Sequence, residues 1–565
     1  MHVRYAVSFE RGISRHSLRE RAARCGLEIK LERPSVLILA DPQTPLVTGG
    51  DRVLIGQIFD GPSERVADLD SVFTNQDPIP RAGFWGNFLA LGANESAPFV
   101  YRDPSGSIPA YEIVTHDGAV FVSDAELACS LGLLERPEVD LSFAVHWLQF
   151  PFLRSERTGL RGVRELLPGS IRRLRGGSWL SEPGWKPWDH VRLPRGRSSF
   201  DQFARELRRI TLISVAAQVR GSSPLLQLSG GLDSSIIAAS LAHAGIGFIS
   251  VNFASRSLDG DERRYAREVA ERFGSRHLEI LEDDLDRSIR ASAKWKFRPG
   301  SNPVLLPLDE AIEERRREAG AEVLVDGGGG DNLFCYLTGT EPILDALRSA
   351  GLAQAWRSCT DIGELAGCTR WDVAASALRR AAPWGWWRWK EDRRYLNREM
   401  LLSGPDPHPW LETPRFSLPG KREHVASLVH IQHFLNRRAE RGSALLHPLM
   451  AEPLLEFCLS IPSWEWMRGG IDRAVARRAF QDLLPPKVIE RRSKGSLQGL
   501  FHRFFTALRG DLRDLLLSGR LVGLGIVDAD SIEQAFVRGD WKDDEVQMRL
   551  SEMASLDLWI QSWSV

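Results

Sequence analysis

The stretch that most constrains this chain is a short apolar run, Pro224-Leu225-Leu226-Gln227-Leu228. It meets Ser229-Gly230-Gly231-Leu232-Asp233-Ser234-Ser235 and then Ile236-Ile237-Ala238-Ala239. A brief apolar run bounded by glycines reads as a buried strand, and the Ile/Ala run beyond it as a helix. Strand, tight loop and helix in that order are the repeating unit of a parallel α/β sheet. The glycines let a ligand approach the backbone closely. The first helical turn offers unpaired N–H groups and the positive end of the helix dipole, which suits an anion. Ser229, Ser234 and Ser235 add hydroxyl donors. Asp233 sets an acid inside a phosphate-type cradle, and a metal ion would account for it. No Gly-Lys-Ser/Thr ending follows, so this is not a Walker A loop. The same residue types would also serve an ordinary strand-to-helix turn with Ser/Asp capping.

The alternation continues downstream. Periodicity and glycine stops predict a helix over 203–215, a strand over 225–228, a helix over 235–244 and a strand over 248–253. A helix over 262–273, a strand over 277–281, a helix over 308–319 and a strand over 322–325 follow. Gly245, Gly274 and Gly320 stand where the three later helices should stop. Beyond Asp331 helices and loops read without clear strands. Upstream, to about Pro187, the chain is dense in short β-like runs at 35–39, 52–55, 99–101 and 119–122 separated by turn residues, which predicts a layered strand-rich domain. Two domains are expected, 1–190 and 200–565. Segments 185–188 and 194–196 read as the linker.

Composition excludes several classes. The 565 residues suffice for two to four cores. Hydrophobic content of 43% and charged content of 26% are those of an ordinary globular protein. A formal net charge of -1 gives no electrostatic case for nucleic acid. No apolar run is long enough to span a bilayer, and the start does not read as a signal peptide. Six scattered cysteines without a CxxC suit a reduced, cytoplasmic chain.

A second cluster follows the 322–325 strand: Asp326-Gly327-Gly328-Gly329-Gly330-Asp331-Asn332. Four consecutive glycines carry a large backbone entropy cost, so something must require so bare a backbone. In an open α/β sheet ligands sit outside the carboxyl ends of the strands. Residues 229–233, 252–253 and 326–331 all follow strands and should converge on one crevice. Asp233 and Asp331 could then hold Mg²⁺ against phosphates, since Mg²⁺ usually takes one or two carboxylates plus phosphate and water. Alternatively, Asp331 merely caps a helix over 332–337.

Residues 229–235 resemble the pyrophosphate loop of ATP pyrophosphatases, which split ATP between its α and β phosphates and attach AMP to a substrate oxygen. Over nearly its whole length the chain resembles the asparagine synthetase superfamily. The N-terminal matches are Gly56-Gln-Ile-Phe-Asp60, Gly86-Asn-Phe88, Arg102-Asp-Pro-Ser-Gly106 with Pro109-Ala-Tyr111, and Pro168-Gly169. The later matches are 229–235, Asp261-Glu262, 327–331 and Arg492-Ser-Lys494-Gly495. The resemblance implies an α/β protein in two parts. An N-terminal Ntn-hydrolase-like (glutaminase-like) α+β domain comes first. An adenine-nucleotide α-hydrolase-like parallel-sheet synthetase domain with a helical C-terminal part follows. It also implies ATP and Mg²⁺ as cofactors and Lys494 as the catalytic cation. Leu228, Phe253 and Gly327 would lie near the adenine, with Ser229, Gly230, Gly231, Asp233, Ser234 and Ser235 around the phosphates.

Departures from the family pattern carry information about substrate. Glutaminase activity in this family needs a cysteine at the mature N-terminus, whereas His2 follows Met1 and the first cysteine is Cys25. Ammonia from glutamine is therefore not expected. The acid within the family's Ser-Gly-Glu-Gly-Ala-Asp is replaced by Gly328. The Arg-Val-Pro-Phe-Leu-Asp segment stands as Leu446-His-Pro-Leu-Met-Ala451. Both changes argue against free aspartate and for a larger pocket. β-Lactam synthetases depart similarly, but the tyrosine in their loop before the metal aspartate is absent. Residues 327–336, 419–427, 458–464 and 472–480 are similar to lasso peptide cyclases. That resemblance implies adenylation of an Asp or Glu side chain in a precursor peptide and attack by the peptide's own N-terminal amine. It also implies a leader-peptide-binding or protease partner from the same pathway. Nucleic acid and membrane are not expected as partners. A small-molecule amide or β-lactam synthetase, or a catalytically silent scaffold, are the other readings.

The base for the amine is left open: Glu341, His447 and Glu452 are candidates, and phosphate or an adjacent water could serve instead; Arg491 and Arg492 are alternative cations to Lys494. The Trp-rich segment 383–389 reads as a packing cluster or a peptide grip, and the charged run 313–318 as a solvated helix face.

Overall fold

The computed structural model describes residues 3–564 apart from 10–12, 62–63, 67, 75–76, 95–96, 117, 135–136, 193–198, 255–260, 287, 290–294, 301, 338, 382–387, 415–416, 436–444 and 493–497. The N-terminal part holds two antiparallel sheets. One runs in the order Val163–Glu165, Tyr111–Thr115, Gly118–Val122, Tyr5–Ser8, Val36–Ala40, Glu28–Arg33. The other runs Ser178–Pro183, Ser170–Arg175, Phe99–Arg102, Phe84–Gly92, Arg52–Asp60, Leu46–Gly49, with Glu64–Arg65 pairing to Arg52–Asp60. Period-two alternation assigns the faces. Tyr5, Val7, Ile38 and Phe121 share a core with Val53, Ile55, Leu89 and Val100 of the second sheet. Their neighbours Ala6, Leu39 and Val122 pack the other way, against Leu18, Ala22 and Leu127 of the flanking helices. The two sheets are therefore layered face to face, with helices on the outer face of the first.

The second part is built on a five-stranded, wholly parallel sheet. Its order is Arg276–Leu281, Ile249–Ala254, Pro224–Gln227, Val323–Val325, Leu445–Leu446. Successive residues of the Pro224–Gln227 strand serve opposite cores. Leu225 faces Leu308, Ile312 and the C-terminal helices Gln498–Ser518 and Asp544–Trp563, while Leu226 faces the helices Phe200–Val219 and Leu232–His243. Burial on both faces explains why these strands are almost continuously apolar. From Pro224–Gln227 the chain first builds outward on one side and then returns to add Val323–Val325 on the other. Those two strands therefore flank the topological switch point, where a crevice opens at the carboxyl edge.

The predicted elements of this sheet are present with ends moved by a few residues, and four details differ. The helix after the glycine loop begins at Leu232, three residues early, so Asp233 and Ser234 lie within its first turn. Asn252 and Phe253 sit inside the Ile249–Ala254 strand, not after it. The expected helix over 332–337 is a single turn, Gly330–Leu333, that contains Asp331. The strand Leu445–Leu446 was not expected, because two residues carry no periodicity. The segment read as a linker is packed instead: Trp185 is buried against Trp410, and Pro187–His190 forms a turn of 3₁₀ helix. Residues 194–196 lie outside the described residues.

Candidate active site at the carboxyl edge of the parallel sheet

A cavity of about 470 Å³ opens at the switch point, within the range of small-molecule sites. Its floor is the glycine loop. Leu228 extends the strand by donating its N–H to Val251 O at 2.9 Å, and Asn252 Nδ2 donates to Leu228 O at 2.8 Å. The loop then turns at Gly230, whose φ of +71° is the left-handed region. A Cβ at Gly230 would come 2.5 Å from Tyr265 Cβ, so the glycine is required by packing on the helix Arg263–Arg272 as well as by conformation. The serines shape the loop from within. Gly231 N–H donates to Ser229 Oγ at 3.2 Å, and the Ser229 and Ser234 hydroxyls lie 3.1 Å apart. Leu228, Ser229, Gly231, Asp233, Ser234, Phe253, Gly327 and Asp331 all line the cavity. Gly230 and Ser235 do not. Gly230 turns the chain behind the wall, and Ser235 is fully buried.

The glycine run 327–330 owes its bareness first to this loop. A Cβ on Gly327 would come 2.9 Å from Ser234 N, and one on Gly330 only 2.4 Å from Asp233 Cγ. Gly329, at φ +86°, would drive a Cβ to 2.3 Å from Met450 Sδ. The two predicted loops are thus packed backbone against helix turn, which brings Asp233 and Asp331 together.

Between those two carboxylates lies Arg473. Its Nη1 is 3.5 Å from Asp233 Oδ1 and forms a close ion pair with Asp331, while its Nε lies 2.9 Å from Asp472 Oδ1. Burial disfavours the charged guanidinium, but Asp233, Asp331 and Asp472 more than offset this, and its pKa is raised. The ring of Tyr336 sits 5.3 Å from the guanidinium carbon. Arg477 locks the segment in place: its Nη2 donates to Asp472 Oδ1 and its Nη1 to Ile489 O. Two carboxylates that meet at one cationic nitrogen suit a hard divalent cation, with phosphate and water filling its other positions. Among the described residues no three His, Cys, Asp or Glu side chains gather as a metal site of their own.

Arg491 adds a second cation to the wall. It pairs with Glu262 at 2.9 Å and stacks 4.2 Å over the ring of Tyr265. Among the described residues its Nε and Nη1 have no hydrogen-bond partner. Arg492 lines the same wall. Val251, Phe253, Ile280, Leu308, Ile312 and Leu500 give the cavity its apolar lining. Lys494 lies outside the described residues.

Of the three candidate bases, Glu341 pairs with Arg380 and Glu452 stands near Glu456 and Asp103; neither lines the cavity. His447 lies behind the wall, its Nδ1 2.6 Å from Asp326 Oδ1, and Asp326 itself faces the cavity. Sequence reading missed Arg473 and Asp326 as site residues. Each stood inside a quoted motif, 472–480 and the glycine run, but only the fold shows their direction. Trp389 is tied to Pro151 O by its indole N–H at 2.9 Å; residues 383–387 of the Trp-rich segment lie outside the described residues. The 313–318 run forms i,i+3 pairs on its helix, Arg316 with Glu313 and Arg315 with Glu318.

An anion cradle, paired carboxylates and an apolar slot at the switch point of a parallel sheet are the layout of a nucleotide-using α/β protein. The asparagine synthase family model matches residues 206–561, and the chain belongs to that family, whose enzymes use ATP to form amides. It is similar to the microcin J25-processing protein McjC of Escherichia coli, 22% identical over 320 residues. That match covers 54% of this chain and 55% of McjC, so the chain spans about half the length of this curated relative. Two solved structures share 11% identity with it. The allosteric regulatory enzyme of purine biosynthesis aligns over 57% of this chain and 89% of its own, with a TM-score of 0.21. The glutamine phosphoribosylpyrophosphate amidotransferase of B. subtilis aligns over 57% and 90%, with a TM-score of 0.20. Among the described residues no helix is long and apolar enough to cross a membrane.

Proposed function

We propose that this chain is an ATP-dependent lasso peptide cyclase, an AMP-forming amide ligase acting on a precursor peptide. It adenylates an Asp or Glu side chain of that peptide and joins it to the peptide's N-terminal amine as a macrolactam. The observation that carries the reading is the meeting of the 229–234 loop with Asp233 and Asp331 in one cavity of an asparagine synthase family chain. The resemblance to a microcin J25-processing protein supports the peptide substrate.

In the first step the substrate carboxylate attacks the α phosphorus of ATP and pyrophosphate leaves. The first turn of the Leu232–His243 helix, with Ser229 and Ser234, binds the departing phosphates. Asp233 and Asp331 would hold Mg²⁺, which when bound neutralises charge on the pyrophosphate. Arg491, which lines the same cavity, adds positive charge beside it. The adenine lies against Leu228, Phe253 and Gly327. In the second step the amine attacks the acyl carbon and AMP leaves. Lys494 serves there as the cation that steadies the developing oxyanion.

The two-sheet region acts as an Ntn-hydrolase-like (glutaminase-like) domain over 1–190, and 200–565 is the synthetase. A leader-peptide-binding or protease protein delivers the precursor, and the reaction takes place in the cytoplasm. The test is ATP–pyrophosphate exchange and mass spectrometry with synthetic peptides that begin with glycine and carry Asp or Glu some eight residues later. Peptide-stimulated exchange and a product lighter by one water are expected. Exchange driven by small carboxylic acids but by no peptide would replace this reading with a small-molecule synthetase.

A further inference from the structure

The strands Val323–Val325 and Leu445–Leu446 lie parallel, with Val325 opposite Leu446. The next residue on each, Asp326 and His447, must therefore emerge side by side at the carboxyl edge. His447 Nδ1 lies 2.6 Å from Asp326 Oδ1, and the same oxygen accepts the Gly328 N–H at 2.8 Å. Asp326 lines the cavity, whereas His447 is buried behind it, with an Nε2 that has no hydrogen-bond partner among the described residues. A proton on Nδ1 lets the imidazole donate to Asp326 Oδ1 and so orient that carboxylate. Asp326 then remains a carboxylate, oriented by two N–H donors. It stands outside any three-residue metal cluster among the described residues. Gly328 makes room for the pair: a Cβ there would come 2.7 Å from His447 Nδ1 and 2.8 Å from Asp326 Oδ1.

We propose that Asp326 is the general base of the amide-forming step and that His447 is its positioning residue, an assignment that rests on the proposed function. As the amine nitrogen bonds to the acyl carbon, its proton passes to the Asp326 carboxylate. The acyl C–O bond breaks, and its electron pair leaves on the phosphate oxygen of AMP. Asp326 then releases the proton to solvent when the product departs. A carboxylate suits this task, because the proton becomes acidic only as the C–N bond forms.

The test compares wild type with Asp326→Asn, His447→Leu and His447→Asn on one synthetic peptide in three assays. These are pyrophosphate exchange, hydroxamate formation with hydroxylamine, and ring closure. Hydroxylamine is largely unprotonated near neutral pH and a strong nucleophile, so it traps the acyl-adenylate without a base. Asp326→Asn should keep exchange and hydroxamate formation within about threefold while ring closure falls on the order of 100-fold or more. His447→Leu should slow ring closure about tenfold, and His447→Asn, whose Nδ2 can donate in place of Nδ1, should recover most of it. Ring closure by Asp326→Asn within about threefold of wild type would overturn the base assignment. So would a parallel loss of exchange, hydroxamate and ring, which would put Asp326 in the first step or the fold. Equal losses in both His447 variants would overturn the positioning role. If wild type itself shows no exchange with any peptide, the functional reading fails, and the base assignment falls with it.

Discussion

Arg473 reaches across the cavity to pair with Asp331, and its same Nη1 lies 3.5 Å from Asp233. The residue adopts φ +52° to do so, a left-handed conformation that costs a bulky side chain of order 1 kcal/mol. It stands at the start of the helix Ala474–Phe480, with Asp472 on its Nε. The protein thus neutralises the paired carboxylates Asp233 and Asp331 with its own guanidinium. Under the proposed function, a nucleotide arriving with a divalent cation would have to move that guanidinium aside. The displaced arginine would still lie beside the phosphates it could bind.

Arg473→Met should therefore destabilise the resting protein, since it takes this buried cation from Asp233 and Asp331, whereas Asp472 keeps Arg477. Breaking such a pair typically costs about 3–5 kcal/mol. Millimolar Mg²⁺ should restore part of the loss. Thermal unfolding with and without Mg²⁺ checks this, and an equal Mg²⁺ response in variant and wild type would contradict it.

Asp233→Asn and Asp331→Asn should each lower pyrophosphate exchange on the order of 100-fold, the scale of losing one electrostatic contact to a reacting phosphate. Both should need more Mg²⁺ for half-maximal rate, because an amide is a poorer ligand than a carboxylate for a hard cation. An unchanged Mg²⁺ requirement in either variant would remove that residue from the metal site.

Gly330→Ala tests the packing of the two loops. Its Cβ would stand 2.4 Å from Asp233 Cγ, so the loop or the helix turn must shift. Overpacking of this kind costs about 1–3 kcal/mol, and here it also displaces a site carboxylate. Exchange should fall at least tenfold, with an effect of this size expected from a small misplacement of a reacting group. Gly247→Ala, where nothing lies within 4 Å of the new Cβ, is the control. Similar exchange in both variants would refute the account.

The glycine loop was legible because it combines three local signals: a strand run, bare glycines and a helix run. Asp331 followed from the same rule applied to Val323–Val325. Arg473 was not, since its direction depends on a left-handed residue at a helix start and on partners 142 and 240 positions away, as its contacts to Asp331 and Asp233 show. The Asp326–His447 pair depends on the register of a two-residue strand, which leaves no pattern in the sequence. The N-terminal strands read as layers, but their pairing order comes from long-range contacts that alternation alone does not specify.

The last prediction concerns what holds the two-sheet part to the synthetase. Glu165 is fully buried and meets three arginines: Arg102 at 3.0 Å, Arg154 at 2.6 Å and Arg298 at 3.2 Å. Arg298 comes from the chain beyond the Arg276–Leu281 strand, and it also donates to Ser155 O and Arg157 O. Burial alone would push the Glu165 carboxyl up, but Arg154, Arg298 and Arg102 reverse this and hold it at about 2. Glu165→Gln would leave the three buried cations without their shared anion, a loss of about 3–5 kcal/mol near pH 7. The pH dependence has a definite sign. Because the folded carboxyl titrates below the unfolded one, its contribution is complete above an ordinary 4.5 and is lost as pH falls toward about 2. The stability gap between wild type and Glu165→Gln should therefore narrow by about 1.4 kcal/mol between pH 7 and pH 3.5, the worth of one pKa unit. Urea unfolding of both proteins at the two pH values measures it. A gap unchanged by acid would mean that Glu165 titrates alike in the folded and the unfolded chain, so that the three arginines do not hold its carboxyl down.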